Sequence, residues 1–318
     1  MNLTQVTKGI GQAMILFSLL AYTSEAQTVS TPIVGFSKLS ISAGGRLISP
    51  VFNKASKYQG SAVVSSGVFT VSGLTANALV PTAYNDRPNY PTHYVKITSG
   101  SYEGLVLDVI ANSATTITVA DAPTGLSGSV SVIVIPHYTL LDLANQSANL
   151  AAYSDAVTFY DSGNNKRTYY YTGGADGFIA DDYSTPANNV VIYPGSGVIV
   201  NTTANSSVTM SGNVNTTKTI VPIFAGESIV SPIDPSGVSK VAGINLAAAL
   251  SPYTDSANAV LLNGTLATST FYSDGVDILN DSYDVVPLAS SPAVSSGNGF
   301  IVNAVADSQW VQPAVTNQ

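Results

Sequence analysis

Residues 43–50 read Ala-Gly-Gly-Arg-Leu-Ile-Ser-Pro, and residues 225–232 read Ala-Gly-Glu-Ser-Ile-Val-Ser-Pro. Further matches follow each copy in the same order. Leu143-Ala144 answers Leu246-Ala247, and Asp155-Ala156-Val157 answers Asn258-Ala259-Val260. Thr168-Tyr169-Tyr170-Tyr171 before Gly174 answers Ser269-Thr270-Phe271-Tyr272 before Gly275, and Gly197-Val198-Ile199-Val200 answers Gly299-Phe300-Ile301-Val302. Chance does not keep five blocks in order, the later four at offsets of 101 to 103 residues, so the chain reads as a duplicated module.

The two copies differ in one interval. Pro50 and Leu143 are separated by 92 residues, Pro232 and Leu246 by 13. The excess predicts an inserted domain at 54–137, with both ends close together as insertions require. The expected layout is module 1 at 28–53 plus 138–213, the insert at 54–137, and module 2 at 214–318.

Alternating apolar and polar residues mark strands at 94–98, 105–110, 115–119 and 129–135, with Gly, Asn, Asp and Pro between them. Only 140–150 and 244–250 have a composition suited to a turn or two of helix. The fold class is therefore all-β: two sandwich-like modules, the first interrupted by a small barrel-like domain.

The motifs resemble a recurrent extracellular β module of bacterial surface proteins, Gly-x-Asn-Leu-Ile-Ser-x-Pro followed by Gly-x-Gly-Phe-x-Val. Here they are carried by 44–50 and 195–200, and again by 226–232 and 297–302. Ser228 stands where Asn is usual, and Ser-Pro is contiguous in both copies. The whole layout, with the insert closing on Ile135-Pro136-His137-Tyr138-Thr139-Leu140, is similar to an uncharacterised family of secreted bacterial β-rich surface proteins. That resemblance implies export and fold and carries over no catalytic residue.

Export is also expected from residues 1–26. Lys8 precedes a short apolar run at 14–21, and Ser24 and Ala26 supply the small residues of a cleavage site, which would start the mature chain at Gln27. The run falls short of the roughly 20 residues a spanning helix needs. A secreted, extracellular or cell-surface location in a bacterium follows, with no transmembrane span in the mature chain.

Composition narrows the function. Of 318 residues only 9% are charged, against about 25% in an average domain. Eleven Lys and Arg against 19 Asp and Glu cannot build a surface for nucleic acid. The absence of cysteine removes thiolate metal sites and cysteine nucleophiles. His93 and His137 are the only candidate imidazole bases, both placed where the insert meets module 1, and no Gly-x-Ser-x-Gly elbow accompanies them. Beyond the leader the only Glu residues are Glu103 and Glu227, in different domains, which argues against a paired-carboxylate hydrolase.

Two features suggest ligands. Asp176, Asp181 and Asp182 cluster in one loop, and Asp274, Asp277, Asp281 and Asp284 in its counterpart. Calcium takes such oxygen-rich loops, although Asp also caps turns without any metal. Calcium is the one cofactor entertained. Tyr169, Tyr171 and Tyr183 form a candidate aromatic binding face, with Tyr169 and Tyr171 on one side of a strand and Tyr170 on the other.

The expectation is a cell-surface structural or assembly protein. It would self-associate through weakly charged β surfaces into a filament, sheath or lattice, because few Lys or Glu guard its strand edges. Segments 27–32 and 316–318 are candidates for strand donation to a neighbour. The alternative is an adhesin or glycan-binding module engaging envelope polysaccharide through its tyrosines. A secreted hydrolase ranks third.

Overall fold

A computed structural model describes residues 32–79, 91–161, 163–236, 239–260, 269–294 and 299–315. The expected signal peptide, nearly all of 27–32 and the tail 316–318 lie outside them. The regular elements of the described chain are almost all strands. It opens with β1 (Val34–Ile41), β2 (Arg46–Ile48) and β3 (Phe52–Asn53), then enters the insert with β4 (Tyr58–Ser65), β5 (Val68–Thr70), β6 (His93–Ile97), β7 (Val106–Asn112), β8 (Thr116–Val119) and β9 (Ser127–Pro136). After β10 (Tyr138–Thr139) comes the one α-helix among the described residues, α1 (Leu140–Gln146), then β11 (Ser147–Ala148), β12 (Ala156–Tyr160), β13 (Lys166–Tyr171), β14 (Phe178–Ala180), β15 (Val191–Ile192), β16 (Val198–Asn201) and β17 (Ser206–Val214). The last third holds β18 (Thr219–Ile223), β19 (Gly226–Val230), β20 (Ser256–Val260), β21 (Thr270–Ser273), β22 (Ile278–Leu279), β23 (Gly299–Ala304) and β24 (Ser308–Gln312).

The insert closes into a six-stranded barrel in the order β4-β5-β8-β7-β6-β9. Period-2 alternation sends Ala62, Val64, Val95, Ile97, Leu107, Val109, Val132 and Val134 inward, where they form one apolar core. Closure leaves no free strand edge in this unit. Its outward face is not all solvent: Tyr94 and Lys96 of β6 are buried as well, and their hydrogen bonds run to Asn53 and to 215–219.

The repeat appears as two five-stranded sheets of the same order, β2-β16-β12-β13-β14 and β19-β23-β20-β21-β22. Each has its own core, one drawn from Leu39 to Phe52 and Tyr138 to Met210, the other from Val221 to Trp310. Trp310, fully buried, donates its Nε1–H to the Ile244 carbonyl at 2.7 Å and belongs to the second core. Backbone pairing corrects the alignment of the copies. Val157 faces Tyr169 across one hairpin and Ala257 faces Phe271 across the other, so Tyr170, not Tyr171, corresponds to Tyr272. Likewise Asp155 corresponds to Asp255, three residues before the Asn258 that residue matching selects. Asp155 accepts from the backbone N–H of Ala151 and Thr203, and Asp255 from those of Ser251 and Val305, all at 2.8 to 2.9 Å.

Helix α1 falls within the expected 140–150. Thr139 caps it in a capping box with Asp142, while Leu140, Leu143 and Ala144 turn into the core. Its counterpart region forms only two short 3-10 turns, at Val241–Gly243 and Ala247–Ala249.

The two sheets meet through their equivalent strands. Leu47 and Ile229 form a small shared cluster with Ile199 and Ile301 alongside. Gly197 N–H donates to the Ile229 carbonyl at 2.9 Å, and Ser231 N–H to the Gly195 carbonyl at 2.8 Å. The contact is that close because Gly197 and Gly299 lack a Cβ, which would lie 2.8 Å from Ile229 Cγ2 and 3.1 Å from Leu47 Cδ2 respectively.

Candidate functional site

A cleft of about 770 Å³ lies where the barrel and both sheets converge. The barrel contributes Val106, Asp108 and Asp121, the first repeat Tyr160, Arg167 and Tyr193, and the second Ile220, Phe224 and Gln309. Junctions of this kind are where ligand sites form most often.

Asp108 anchors the cleft. It points outward from β7 just before a register shift between Val109 and Ala111, the kind of bulge that re-aims a side chain. One carboxylate oxygen meets His137 Nε2 at 2.8 Å and the other accepts from the Tyr193 hydroxyl at 2.7 Å. The His137 ring packs against Tyr94 and Tyr193 with centroids 4.9 and 5.0 Å away. His137 therefore faces the junction, as its sequence position suggests, but its Nδ1 is buried without a hydrogen-bond partner among the described residues. A nucleophilic triad needs a hydroxyl on that second nitrogen. The geometry is that of a hydrogen-bonded lock between barrel and first repeat.

His93 sits next to Tyr94 on β6, its Nδ1 2.9 Å from the Thr92 hydroxyl. Burial, and the charge of His137, bring its pKa down to about 4, so it is neutral near pH 7. On the far wall of the cleft, a hydrogen bond to Glu227 pushes the Tyr160 hydroxyl up to about 12.

The tyrosines are arranged differently from the expectation. Tyr169 and Tyr171 do share one side of β13, but that side faces the core. Tyr169 is only 4% exposed and stacks on Phe159, and Tyr171 packs edge-on against Phe178. A binding role for Tyr169 on an exposed face is thereby corrected. The outward residue is Tyr170, stacked on Tyr183 with centroids 4.8 Å apart. The second repeat builds the same pair from Tyr272 and Tyr283 at 4.9 Å, with Tyr253 nearby at 6.3 Å. Tyr183 and Tyr283 are 58% and 52% exposed, and Tyr153 and Tyr253 are 65% and 59% exposed. All four hold a positive φ between 56° and 62°, a region that costs a bulky residue energy. The same strain at equivalent positions of both copies marks these turns. Residue matching did not single out Tyr153, Tyr170, Tyr253, Tyr272 and Tyr283 as binding residues; the available signal was the pair of matches Tyr153-x-Asp155 to Tyr253-x-Asp255 and Asp181-x-Tyr183 to Asp281-x-Tyr283, both at an offset of 100 residues.

The acidic loops are self-satisfied where their hydrogen bonds are seen. Asp182 accepts from the backbone N–H of Ser184 and Thr185 and from the Thr185 hydroxyl, which hold its carboxyl well below the usual range. Asp274 accepts from the N–H of Val276 and Asp277. Asp176, Asp181, Asp281 and Asp284 are exposed. Among the described residues no three His, Asp or Glu side chains, Asp277 included, converge as a metal site would require.

The architecture is thus an all-β chain in which a closed barrel is set between the halves of a repeat. Compared with family models, with curated proteins and with solved structures, the chain matches none. No helix among the described residues is long and apolar enough to cross a membrane.

Proposed function

We propose that this is a secreted structural or assembly protein of a bacterial cell surface, self-associating through weakly charged β surfaces into a filament, sheath or lattice. The observation that carries the reading is the edge of the β1–β17 ribbon. β1 is eight residues long and lies at the end of its sheet among the described residues. Val34 and Phe36 on it are 69% and 79% exposed, and Lys38 is its only charge. A long apolar edge with one guarding charge is a template for strand pairing with another chain. Electron microscopy and light scattering of the mature protein test this. Polymer is expected for the wild type and loss of polymer for Phe36→Lys; a wild type that stays monomeric at high concentration refutes it.

A second reading, adhesion to envelope polysaccharide, is favoured by the duplicated Tyr170–Tyr183 and Tyr272–Tyr283 pairs. Aromatic faces with a polar tip suit stacking on sugar rings. A glycan array tests it, with Tyr183→Ala plus Tyr283→Ala as the control; no binding by the wild type would remove it.

A further inference from the structure

Lys96 is the most unusual polar group in the fold. It lies on the outer side of the barrel strand β6 and is 3% exposed, facing the connector between β17 and β18. Its Nζ contacts Asn215 Oδ1 at 2.5 Å, Thr219 Oγ1 at 2.8 Å and the Thr217 carbonyl at 3.3 Å. All three partners are neutral. Among the described residues no carboxylate lies in ion-pair contact with it, since Glu103, the nearest acid to influence it, pairs with Lys218 at 3.4 Å. Burying an ammonium without a counterion is costly, and burial accordingly brings this amine down to about 7, so that a large share is unprotonated at neutral pH.

The partner is equally enclosed. Asn215 is 2% exposed, which also removes its Asn-Thr-Thr sequon from use as a glycan acceptor. Its Nδ2 donates to the same Thr219 hydroxyl at 2.9 Å. A carboxamide C=O is about 1.23 Å long, so Asn215 Cγ lies within about 3.7 Å of the lysine nitrogen. That is close to the separation from which bonds form when reactants are held in place.

We infer that Lys96 and Asn215 form an intramolecular isopeptide cross-link, tying the barrel to the connector between the two repeats. The neutral Nζ attacks Cγ, forming the Nζ–Cγ bond. One proton leaves Nζ for the Thr219 hydroxyl, which passes its own to Nδ2. The Cγ–Nδ2 bond breaks and ammonia departs. A primary amine and a primary amide become a secondary amide plus ammonia, so no oxidant, reductant or co-reactant enters. Thr219 suits the relay because it touches both the attacking and the departing nitrogen. The cross-link closes a loop of 119 residues in a chain with no cysteine for disulfides.

Mass spectrometry of the full mature chain, denatured after purification, tests the inference. The expected result is a digest containing a branched peptide that joins Lys96 to Asn215, in protein lighter than its sequence by one ammonia. An N-terminal Gln27 also sheds ammonia on cyclising, so the branched peptide is the deciding readout. Lys96→Met and Asn215→Ala each abolish it, and Thr219→Val lowers its yield in protein whose circular dichroism is unchanged. Folded wild type that yields only separate Lys96 and Asn215 peptides after prolonged incubation overturns the inference, whatever the variants do.

Discussion

Leu47 and Ile229 stand at the same position of the two repeats and bury one another, at 1% and 5% exposure. Ile199 and Ile301, again equivalents, flank them. A contact in which each copy offers the same patch is the arrangement of a two-fold homodimer, here within one chain.

The glycines under this contact supply the first prediction. Gly299→Ala sets a methyl 2.2 Å from a backbone carbonyl, whereas Gly197→Ala meets side-chain methyls at 2.8 and 3.1 Å. Side chains yield more easily than backbone. Overpacking costs about 1–3 kcal/mol, and Gly299→Ala should sit at or above the top of that range with Gly197→Ala below it, read by urea denaturation.

The second concerns the buried carboxylates Asp155 and Asp255. Each holds two backbone N–H groups at the entrance of equivalent strands. Alanine at either leaves both donors unsatisfied, at about 1–3 kcal/mol for each orphaned group. Asp255→Ala and Asp155→Ala should therefore be among the most damaging single changes, with comparable losses of unfolding free energy if the repeats are true equivalents.

Acid should weaken the fold through His93. Its folded pKa of about 4 lies below the ordinary 6.5, so the unfolded chain takes up the proton first. The stability this group supports is complete above about 6.5 and is lost as pH falls toward about 4. The melting temperature of His93→Gln should fall less than that of the wild type across this window. Equal slopes would show that the neutral imidazole contributes nothing.

Calcium gives a fourth test. Asp182 and Asp274 already spend oxygens on their own turns. Neither EDTA nor added calcium should move the melting temperature; a rise with calcium would show that the acidic loops reorganise around the ion.

At the strained tyrosines, Tyr183→Gly and Tyr283→Gly relieve a left-handed backbone, a relief of about 1 kcal/mol, and remove an aromatic face. Unfolding free energy should hold or rise while any glycan binding falls. Lower stability would mean that the stacks on Tyr170 and Tyr272 matter more than the backbone strain.

These tests separate what local sequence encodes from what only the fold brings together. The barrel strands follow from alternation: residues 94–98 and 129–135 were readable because every second residue there is aliphatic, and β6 and β9 fall on them. The repeat was readable in its Gly-Pro blocks, where backbone geometry restricts the residue. It was misread by one to three positions at Asp155 and Tyr170, because hairpin loops of unequal length lie between the blocks. Tyr169 was misplaced because alternation divides a strand into two faces without saying which one meets the core. Asp108, His137 and Tyr193 come together from three separate segments, and Lys96 meets Asn215 and Thr219 across 119 residues of chain, and no local pattern announces either set.

The barrel enters and leaves through adjacent strands: Tyr58 of β4 pairs with Val134 of β9, and Lys57 N–H reaches the same carbonyl. A unit whose chain enters and leaves at one place can be exchanged without redrawing the order of the remaining strands, although its side-chain ties to Asn53, Tyr193 and Asn215 would be lost with it. The second repeat spans the same interval with 13 residues, which is a natural template for a version lacking the barrel. Such a splice point lets a lineage acquire, lose or replace cargo at one address while the surrounding architecture stays as it is.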